Sequence, residues 1–375
     1  MRTGAGIVLA LGPAMALWAG QGWRPAALWL LGAALGVALF HASFSFAGAF
    51  RRLLGEGRGA GFRAQLAMLA LVVLLFQPAI LAGTVLGQPV RGFVFGVGPA
   101  LLLGAFLFGL GMQLGGGCGS GTLFTAAGGD DGRMWLTLAA FIAGATLAAW
   151  DGERWLGWPA WPGQTLGTGW QTLPLSLAGL ALAWAAARWW EKRRRGLIEP
   201  LPWRGGNWLG GPWPLLWGGA ALAVLNFATL VVAGRPWAIT AAFPLWGSQL
   251  IEAAGWDDPA FWPFWEDPTR SEALLRPVWT DRTTLMDLGL MAGALLASGL
   301  AGRGGGWRLP RPGPALASVL GGLLLGYGAV LASGCNISAF MGGIGSGSLH
   351  GWVWIVPALL GNWVGLRLRP WFRLS

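Results

Sequence analysis

Two short stretches of this 375-residue chain decide its fold: Gly115-Gly-Gly-Cys118-Gly-Ser-Gly-Thr122 and Ser333-Gly-Cys335-Asn-Ile-Ser-Ala339. Cys118 and Cys335 are the only cysteines. Each follows an apolar run and stands among helix-breaking residues, since a glycine in a helix interior costs about 1 kcal/mol relative to alanine. Each cysteine is therefore predicted at a helix break. Inside a membrane, irregular backbone is tolerated only where it is buried in protein or lines a polar cavity, so these breaks indicate a site.

The composition predicts an all-α polytopic membrane protein. Hydrophobic residues make up 55% of the chain and charged residues 11%, with a mean hydropathy of +0.56. Ten crossings of about 20 residues would use more than half of the chain, so we expect one membrane domain over residues 1–375. The net charge of +10 comes from basic residues scattered among the predicted loops, which argues against a nucleic-acid-binding face and indicates topology signals.

Ten segments are apolar and long enough to cross the membrane, and four others are too short or too interrupted. The ten predicted spans are 4–20, 26–40, 64–86, 97–113, 134–150, 172–190, 214–232, 284–301, 315–331 and 351–366. The four shorter segments are predicted to be re-entrant half-helices: 43–50, 118–127, 236–249 and 335–345.

Basic residues predict the orientation of these spans, because Lys and Arg concentrate on the cytoplasmic side. Four clusters fall on one side when the crossings are counted: Arg51, Arg52, Arg58 and Arg63; Arg188 and Lys192 to Arg195; Arg303, Arg308 and Arg311; Arg367, Arg369 and Arg373. Both termini are then cytoplasmic, and the acidic, tryptophan-containing insertion 252–281 is an extracytoplasmic cap. Residues 1–20 resemble a weak signal peptide. We favour a retained first helix and leave cleavage open.

The two cysteine segments belong to an internal repeat with an offset of 217 residues. Gly117-Cys118 recurs as Gly334-Cys335, and Trp135 recurs as Trp352. Five further glycines match: Gly104, Gly109, Gly111, Gly128 and Gly144 recur as Gly321, Gly326, Gly328, Gly345 and Gly361. With the predicted orientation the copies are inverted, which is typical of transporters with broken helices at the midplane. We predict a first repeat over 26–150, a connecting helix and cytoplasmic linker over 151–213, and a second repeat over 214–370.

A thiol at such a break is a weak donor and a soft, polarisable group. Surrounded by the free N–H groups of a helix start and by glycines that admit a ligand to the backbone, it suits a soft anion. A single cysteine in an apolar segment is usually a small hydrophobe. Two cysteines at equivalent breaks, with no other cysteine in the chain, favour a functional site.

The chain resembles the YeeE/YedE family of inner-membrane proteins associated with thiosulfate uptake and related sulfur transport. The resemblance rests on the segments around Cys118 and 322–340, on 345–352, and on Arg235-Pro-Trp-Ala-Ile-Thr240 with 245–247. It implies an hourglass-shaped transporter in which waist cysteines pass the anion along through S–H contacts. It also implies a substrate site containing Cys118, Cys335, Ser45, Gly117, Gly334, Asn336 and Thr240. A TusA-like cytoplasmic sulfur-carrier protein is an implied partner.

One position departs from that family pattern. Members resembling the thiosulfate transporter carry a third cysteine in an early Arg-Phe-Cys-Phe-x-Gly-Ala-Phe-Arg motif, and Ser45 occupies the corresponding position here. A hydroxyl keeps a donor but loses the soft sulfur. Thiosulfate, another sulfur oxyanion and a selenium oxyanion therefore all remain possible substrates.

Other candidates and other functions receive less support from the sequence. His41 and His350 stand at predicted helix ends and are interpreted as structural, whereas Trp237 precedes Thr240 in a re-entrant segment and is a candidate. No motif indicates a metal, ATP or NAD, so no cofactor and no enzymatic activity are expected. Two alternatives stay open: a membrane thiol-disulfide oxidoreductase, and a membrane subunit of a sulfur-metabolism complex.

Overall fold

A computed structural model describes residues 2–129, 132–204, 206–303 and 310–374, so Arg308 lies outside the described residues. Apart from a two-stranded hairpin, the regular structure of the described chain is helical, as the composition predicts. The α-helices are α1 Arg2–Gln21, α2 Trp23–Ala42, α3 Phe46–Arg51, α4 Ala60–Ala82, α5 Pro99–Gly115, α6 Gly119–Gly128, α7 Arg133–Trp150, α8 Gly152–Trp155, α9 Thr172–Arg195, α10 Leu215–Ala233, α11 Ala242–Ala253, α12 Pro268–Leu274, α13 Arg282–Leu300, α14 Pro312–Leu331, α15 Gly342–Gly345 and α16 Leu349–Leu368.

Nine helical segments in the described part of the chain are long and apolar enough to cross a membrane, and the protein is a multi-pass membrane protein. They account for nine of the ten expected spans. The tenth, at 172–190, forms α9, a helix of 24 residues that does not qualify by hydropathy. Its tryptophans, Arg188 and the charged run that follows make it more polar than the others. The third predicted span corresponds to α4, which ends at Ala82 instead of residue 86, because Gly83 adopts a left-handed conformation and closes the helix.

All four predicted half-helix segments contain a break in the backbone. The chain leaves α2 at Ser43 and re-enters a helix at α3, and it leaves α5 at Gly116 and re-enters at α6. Residues 236–241 are irregular before α11. After α14, a π-helical turn at Asn336–Met341 leads into α15. A second π-helical turn, Arg52–Glu56, follows α3.

The repeated glycines lie where helices touch, and the contacts are reciprocal. A Cβ atom placed on Gly104 would lie 2.7 Å from the carbonyl oxygen of Gly328. One placed on Gly111 would lie 2.7 Å from the carbonyl oxygen of Gly321. Gly321 and Gly328 follow Gly104 and Gly111 by 217 residues each, so each contact is repeated with the two copies exchanged. The two contacts also show that α5 packs antiparallel to α14.

Two further pairs of contacts obey the same relation. Gly109 lies against the carbonyl of Ala358, and its counterpart Gly326 lies against that of Phe141, which precedes Ala358 by 217 residues. Gly144 lies against Leu323, and its counterpart Gly361 lies against Phe106. Reciprocal contacts of this kind are the signature of an approximate twofold arrangement. Small residues there let the backbones approach closely, as in other membrane helix pairs.

The remaining segments cover the helix ends. The hairpin of β1 Thr84–Val85 and β2 Gln88–Pro89 is antiparallel, with Val85 opposite Gln88. The insertion 252–281 is folded into short helical turns, and its Trp262, Phe264 and Trp265 are buried against Trp155 and Leu245. On the opposite end, a buried ion pair joins Arg63 of α4 to Glu191 of α9 at 2.9 Å, which ties the polar end of α9 to the bundle.

Candidate functional site

Both cysteines occupy the residue before a helical turn, with extended backbone, and both are free thiols with no exposed surface. Gly117 and Gly334 precede the two cysteines, and each lets the backbone lie close against the helical turn that follows. A Cβ on Gly117 would lie 2.9 Å from the Thr122 hydroxyl, and one on Gly334 would overlap the Ser338 hydroxyl. Gly334 also has a positive φ of 138°. A side chain at either position would push away the first turn of the following helix.

The Cys335 thiol is held by the turn that it begins. The amide of Ile337 donates to its sulfur at 3.4 Å, and the Ser338 hydroxyl lies 3.8 Å away. The Cys335 amide donates to the Ser338 hydroxyl at 3.1 Å, which completes a capping box. The thiol is thus fixed in position by donors that would also stabilise negative charge near it.

The Cys118 thiol contacts two of the broken segments. Its sulfur lies 3.5 Å from the Ser120 hydroxyl in its own turn. Backbone amides of Gly121 and of Phe46 also contact it, and Phe46 begins α3 directly after Ser45. The first broken segment therefore reaches the Cys118 thiol through its backbone.

The two cysteine segments meet at Gly119, the residue after Cys118. A Cβ on Gly119 would lie 3.3 Å from the Cys335 sulfur, 3.3 Å from the Thr240 methyl group and 3.5 Å from a methyl group of Ile239. The structure therefore brings together Cys118, Cys335 and Thr240, which lie far apart in the sequence. We call these three residues with Gly119 the waist.

Three polar side chains lie within four residues of a waist residue along the chain, are buried and have no hydrogen-bond partner among the described residues. They are Asn336, with both amide atoms, Thr122 and Trp237. The Trp237 amide donates to Asn226 at 3.0 Å, so the backbone there is satisfied while the indole N–H is not. Burying an unpaired polar group costs about 1–3 kcal/mol, so these three groups have hydrogen-bonding capacity available to a polar ligand.

Ser45 precedes Phe46, whose amide contacts the Cys118 thiol, and the Ser45 hydroxyl is engaged within its own segment. Its oxygen accepts from the Gly48 amide at 3.0 Å and so caps α3. Ser45 also lines a small cavity of about 50 Å³ together with Gln113, Gly116 and two arginines, Arg51 and Arg369. Arg369 donates to the carbonyl of Gln113 at 2.8 Å. The cavity thus joins the first break to positive charge at the end of the bundle where the basic clusters lie.

The two histidines lie outside the waist. His41, at the end of α2, packs its ring 5.4 Å from that of Trp213. His350 is fully buried at the start of α16, where its Nδ1 lies 2.7 Å from the Ser348 hydroxyl. No contact between either histidine and a waist thiol is seen among the described residues.

Gly119 and Thr122 could not be predicted as site residues, because nothing in a glycine or a lone threonine signals a tertiary contact. Asp287, which is fully buried in α13, was not among the predicted site residues either. A signal was present for this residue, because it is the one acidic residue in an otherwise uncharged predicted span.

Comparison with known proteins identifies the family. The family model described as Sulphur transport matches residues 41–364. A protein named Probable transporter YedE, from Escherichia coli strain K12, is 32% identical over 157 residues, 41% of this chain and 38% of that protein. The chain therefore matches well under half of that relative. The Thiosulfate transporter TsuA of Spirochaeta thermophila is 26% identical over 358 residues, 89% of this chain and 96% of that protein. Because the family model covers most of the chain, this protein belongs to the sulphur transport family, the YeeE/YedE family that its motifs resemble.

Proposed function

We propose that this protein takes up a small sulfur-containing anion, thiosulfate or a related sulfur or selenium species, through the waist formed by Cys118, Cys335, Thr240 and Gly119. The meeting of the two cysteine segments at Gly119 carries the proposal. Soft thiols, unpaired buried donors and helix starts suit an anion that contains a soft sulfur atom. The relative named Thiosulfate transporter TsuA supports this substrate class.

The proposed path begins at Arg235 on the extracytoplasmic side. Its guanidinium donates to the Thr283 hydroxyl at 3.2 Å and leads into the segment that holds Trp237 and Thr240. Burial lowers the pKa of Arg235 from its ordinary value, and Asp281 partly offsets that change. A partly dehydrated cation gains more from an approaching anion than a solvated one does, because water screens it less.

Beyond the waist, the path ends at the cavity beside Ser45. Arg51 and Arg369 line this cavity, so the anion would meet positive charge again as it leaves the thiols. Asn336 and Gly334 border the waist from the second repeat, and Gly117 borders it from the first. The reciprocal glycine contacts of α5 with α14 support two inverted repeats, as expected for alternating access around a fixed central site.

An uptake measurement tests the proposal. Radiolabelled thiosulfate is supplied to bacterial cells that lack other uptake routes and express this chain, alongside cells with the empty vector. Accumulation well above the vector control is expected. Parallel competition with sulfate, sulfite and selenite ranks the substrates, and no accumulation of any of these anions would contradict the proposed function.

Thiol alkylation distinguishes the proposed transporter from the alternative, a membrane thiol-disulfide oxidoreductase. In a transporter, substrate should protect Cys118 and Cys335 from a small membrane-permeant alkylating reagent without any electron donor. In an oxidoreductase, alkylation should instead follow the redox state of the pair, because a disulfide offers no thiolate to the reagent. For the proposed TusA-like carrier, co-purification with the membrane protein is the corresponding measurement.

The orientation makes a separate prediction. Reporter fusions after Arg195 and after Ser375 should both give a cytoplasmic signal, and one at Trp265 should give an extracytoplasmic signal. The reason is that all four basic clusters fall on the same side of the membrane when the crossings are counted. In this topology the protein lies in the inner membrane, both termini are cytoplasmic, and α9 is a crossing. A cytoplasmic signal at Trp265 would contradict both the orientation and the inversion of the repeats.

Ser45→Cys should shift selectivity modestly toward thiosulfate. The residue lies beside the waist at the cytoplasmic cavity, where a softer sulfur should hold a sulfane sulfur slightly better than a hydroxyl does. One weak hydrogen bond is worth about 0.5–1 kcal/mol, so the competition ratio of thiosulfate over sulfate should rise a few-fold at most. Ser176→Cys is a matched control, because it adds a thiol at a buried serine of α9 whose hydroxyl bonds to Gln77 and not to a waist residue. An unchanged ratio in Ser45→Cys would mean that Ser45 does not line the path.

A further inference from the structure

Asp287 is a carboxylate inside the membrane bundle that the proposed anion path does not use. It lies in α13, one and a half turns from the start of that helix, with no exposed surface. Neither of its oxygens has a hydrogen-bond partner among the described residues. An ionised carboxylate in such a place is costly, and ionisable side chains within membrane spans mark ion or proton pathways in many transporters.

The polar side chains near Asp287 lead toward the extracytoplasmic end of α13. Thr283 lies one turn before Asp287 and accepts a hydrogen bond from Arg235. Thr284 accepts from the indole of Trp246 at 2.8 Å and donates to Asp281, which caps the helix. After Asp287 the next polar side chain of α13 is Ser298. The polar side chains of α13 that lie nearest to Asp287 in sequence are therefore on the turn before it, at the extracytoplasmic end of the helix.

The charged groups around α13 leave Asp287 without a counter-ion. The elements packed against α13 are α1, α2, α6 and the turn Val278–Thr280, and Trp246 links it to α11. The titratable or charged groups on these elements, on their flanks and on α13 itself are Arg2, Arg24, His41, Cys118, Arg235, Glu252, Asp281, Arg282 and Arg303. Arg282 donates to the carbonyl of Ala233, and Arg2 reaches Ser298 at the opposite end of α13. In the described structure none of them bonds to the Asp287 carboxyl group, so its ionised form would be an uncompensated buried charge.

Uptake of an anion needs a source of free energy. At equilibrium, a membrane potential of 100 mV, negative inside, lowers the inside-to-outside concentration ratio of an anion about 50-fold for each negative charge. Thiosulfate carries two such charges. A proton that moves inward with the anion cancels one of these charges and adds the energy of the pH gradient.

We propose that Asp287 carries that proton, so that the protein is an anion–proton symporter. The inference rests on the proposed uptake function. On the extracytoplasmic side a proton binds a carboxylate oxygen of Asp287 and forms an O–H bond. After the anion has passed, that bond breaks and the proton leaves toward the cytoplasm, and no electrons are exchanged.

Purified protein in liposomes tests the proposal. The vesicles contain the pH indicator pyranine, and thiosulfate is added outside without an imposed gradient. Wild type should acidify the interior when thiosulfate enters, and an imposed inward proton gradient should raise the initial rate of labelled thiosulfate uptake at least several-fold. Counterflow of labelled against unlabelled thiosulfate, which needs no net proton movement, is measured in the same vesicles.

Asp287→Asn keeps the size and removes the titrating group. It should abolish the acidification and the response to the gradient while counterflow persists, and Asp287→Glu should restore part of both. Glu252→Gln, which removes an exposed acid from the extracytoplasmic cap, should behave as wild type. Thiosulfate entry by wild type without acidification, or an Asp287→Asn variant that still responds to the gradient, would overturn the proton-carrying role. Absence of counterflow in wild type would instead count against the uptake function itself.

Discussion

Cys118→Ala and Cys335→Ala should each lower the initial rate of anion uptake by about 10- to 100-fold. A hydrogen bond to a charged group is worth about 1.5–3 kcal/mol, and a methyl group donates none. Both thiols are fully buried at the point where the two broken segments meet, so no neighbouring solvent can replace the lost donor. The double variant should be at background level.

Serine variants are the matched controls for these substitutions. Cys118→Ser and Cys335→Ser keep a donor and nearly the same volume, so they should retain more uptake than the alanine variants. Surface expression and the melting temperature of each purified variant should stay close to wild type, because a buried cysteine contributes little packing area. Full uptake by the double alanine variant would refute the thiol-lined waist.

Gly321→Ala should destabilise the protein, by several degrees in the melting temperature of the detergent-solubilised form. A Cβ atom at residue 321 would overlap the backbone nitrogen of Gly115, so α14 and α5 would have to separate. Overpacking of this kind costs about 1–3 kcal/mol, and backbone atoms cannot move aside as a side-chain end can. Because the contact is reciprocal, Gly104→Ala should have a comparable effect through Gly328 and Ala332.

Gly12→Ala is the control for that series. Gly12 lies within α1, and a Cβ there would meet nothing within 4 Å. Alanine is the better helix former by about 1 kcal/mol, so this variant should be as stable as wild type or slightly more stable. Equal melting temperatures for Gly321→Ala and Gly12→Ala would show that the repeated glycines are not close-packing positions.

Much of the fold was predictable from the sequence, because membrane spans are set by local composition. Long apolar runs must be helical in lipid to satisfy their own backbone hydrogen bonds, and nine of the ten expected crossings qualify by length and hydropathy. Stacked glycines likewise predicted the breaks at Cys118 and Cys335. At α9 the expected helix is present, but its tryptophans and charged residues lower its mean hydropathy below that of the other nine spans.

Only the tertiary structure decided which of these breaks meet. By itself the sequence determined two repeated breaks, each with a thiol, and it placed both of them in the membrane. It could not determine that Gly119 lies close to both Cys335 and Thr240, or that Ser45 uses its hydroxyl to cap α3. Nor could it determine that the Asp287 carboxyl group has no hydrogen-bond partner within the described part of the chain. Helix formation depends on neighbours along the chain, whereas these contacts depend on how helices that are distant in sequence pack together. Close packing depends on the complementary shapes of two helix surfaces, and the sequence around a single glycine or aspartate does not specify its partner surface.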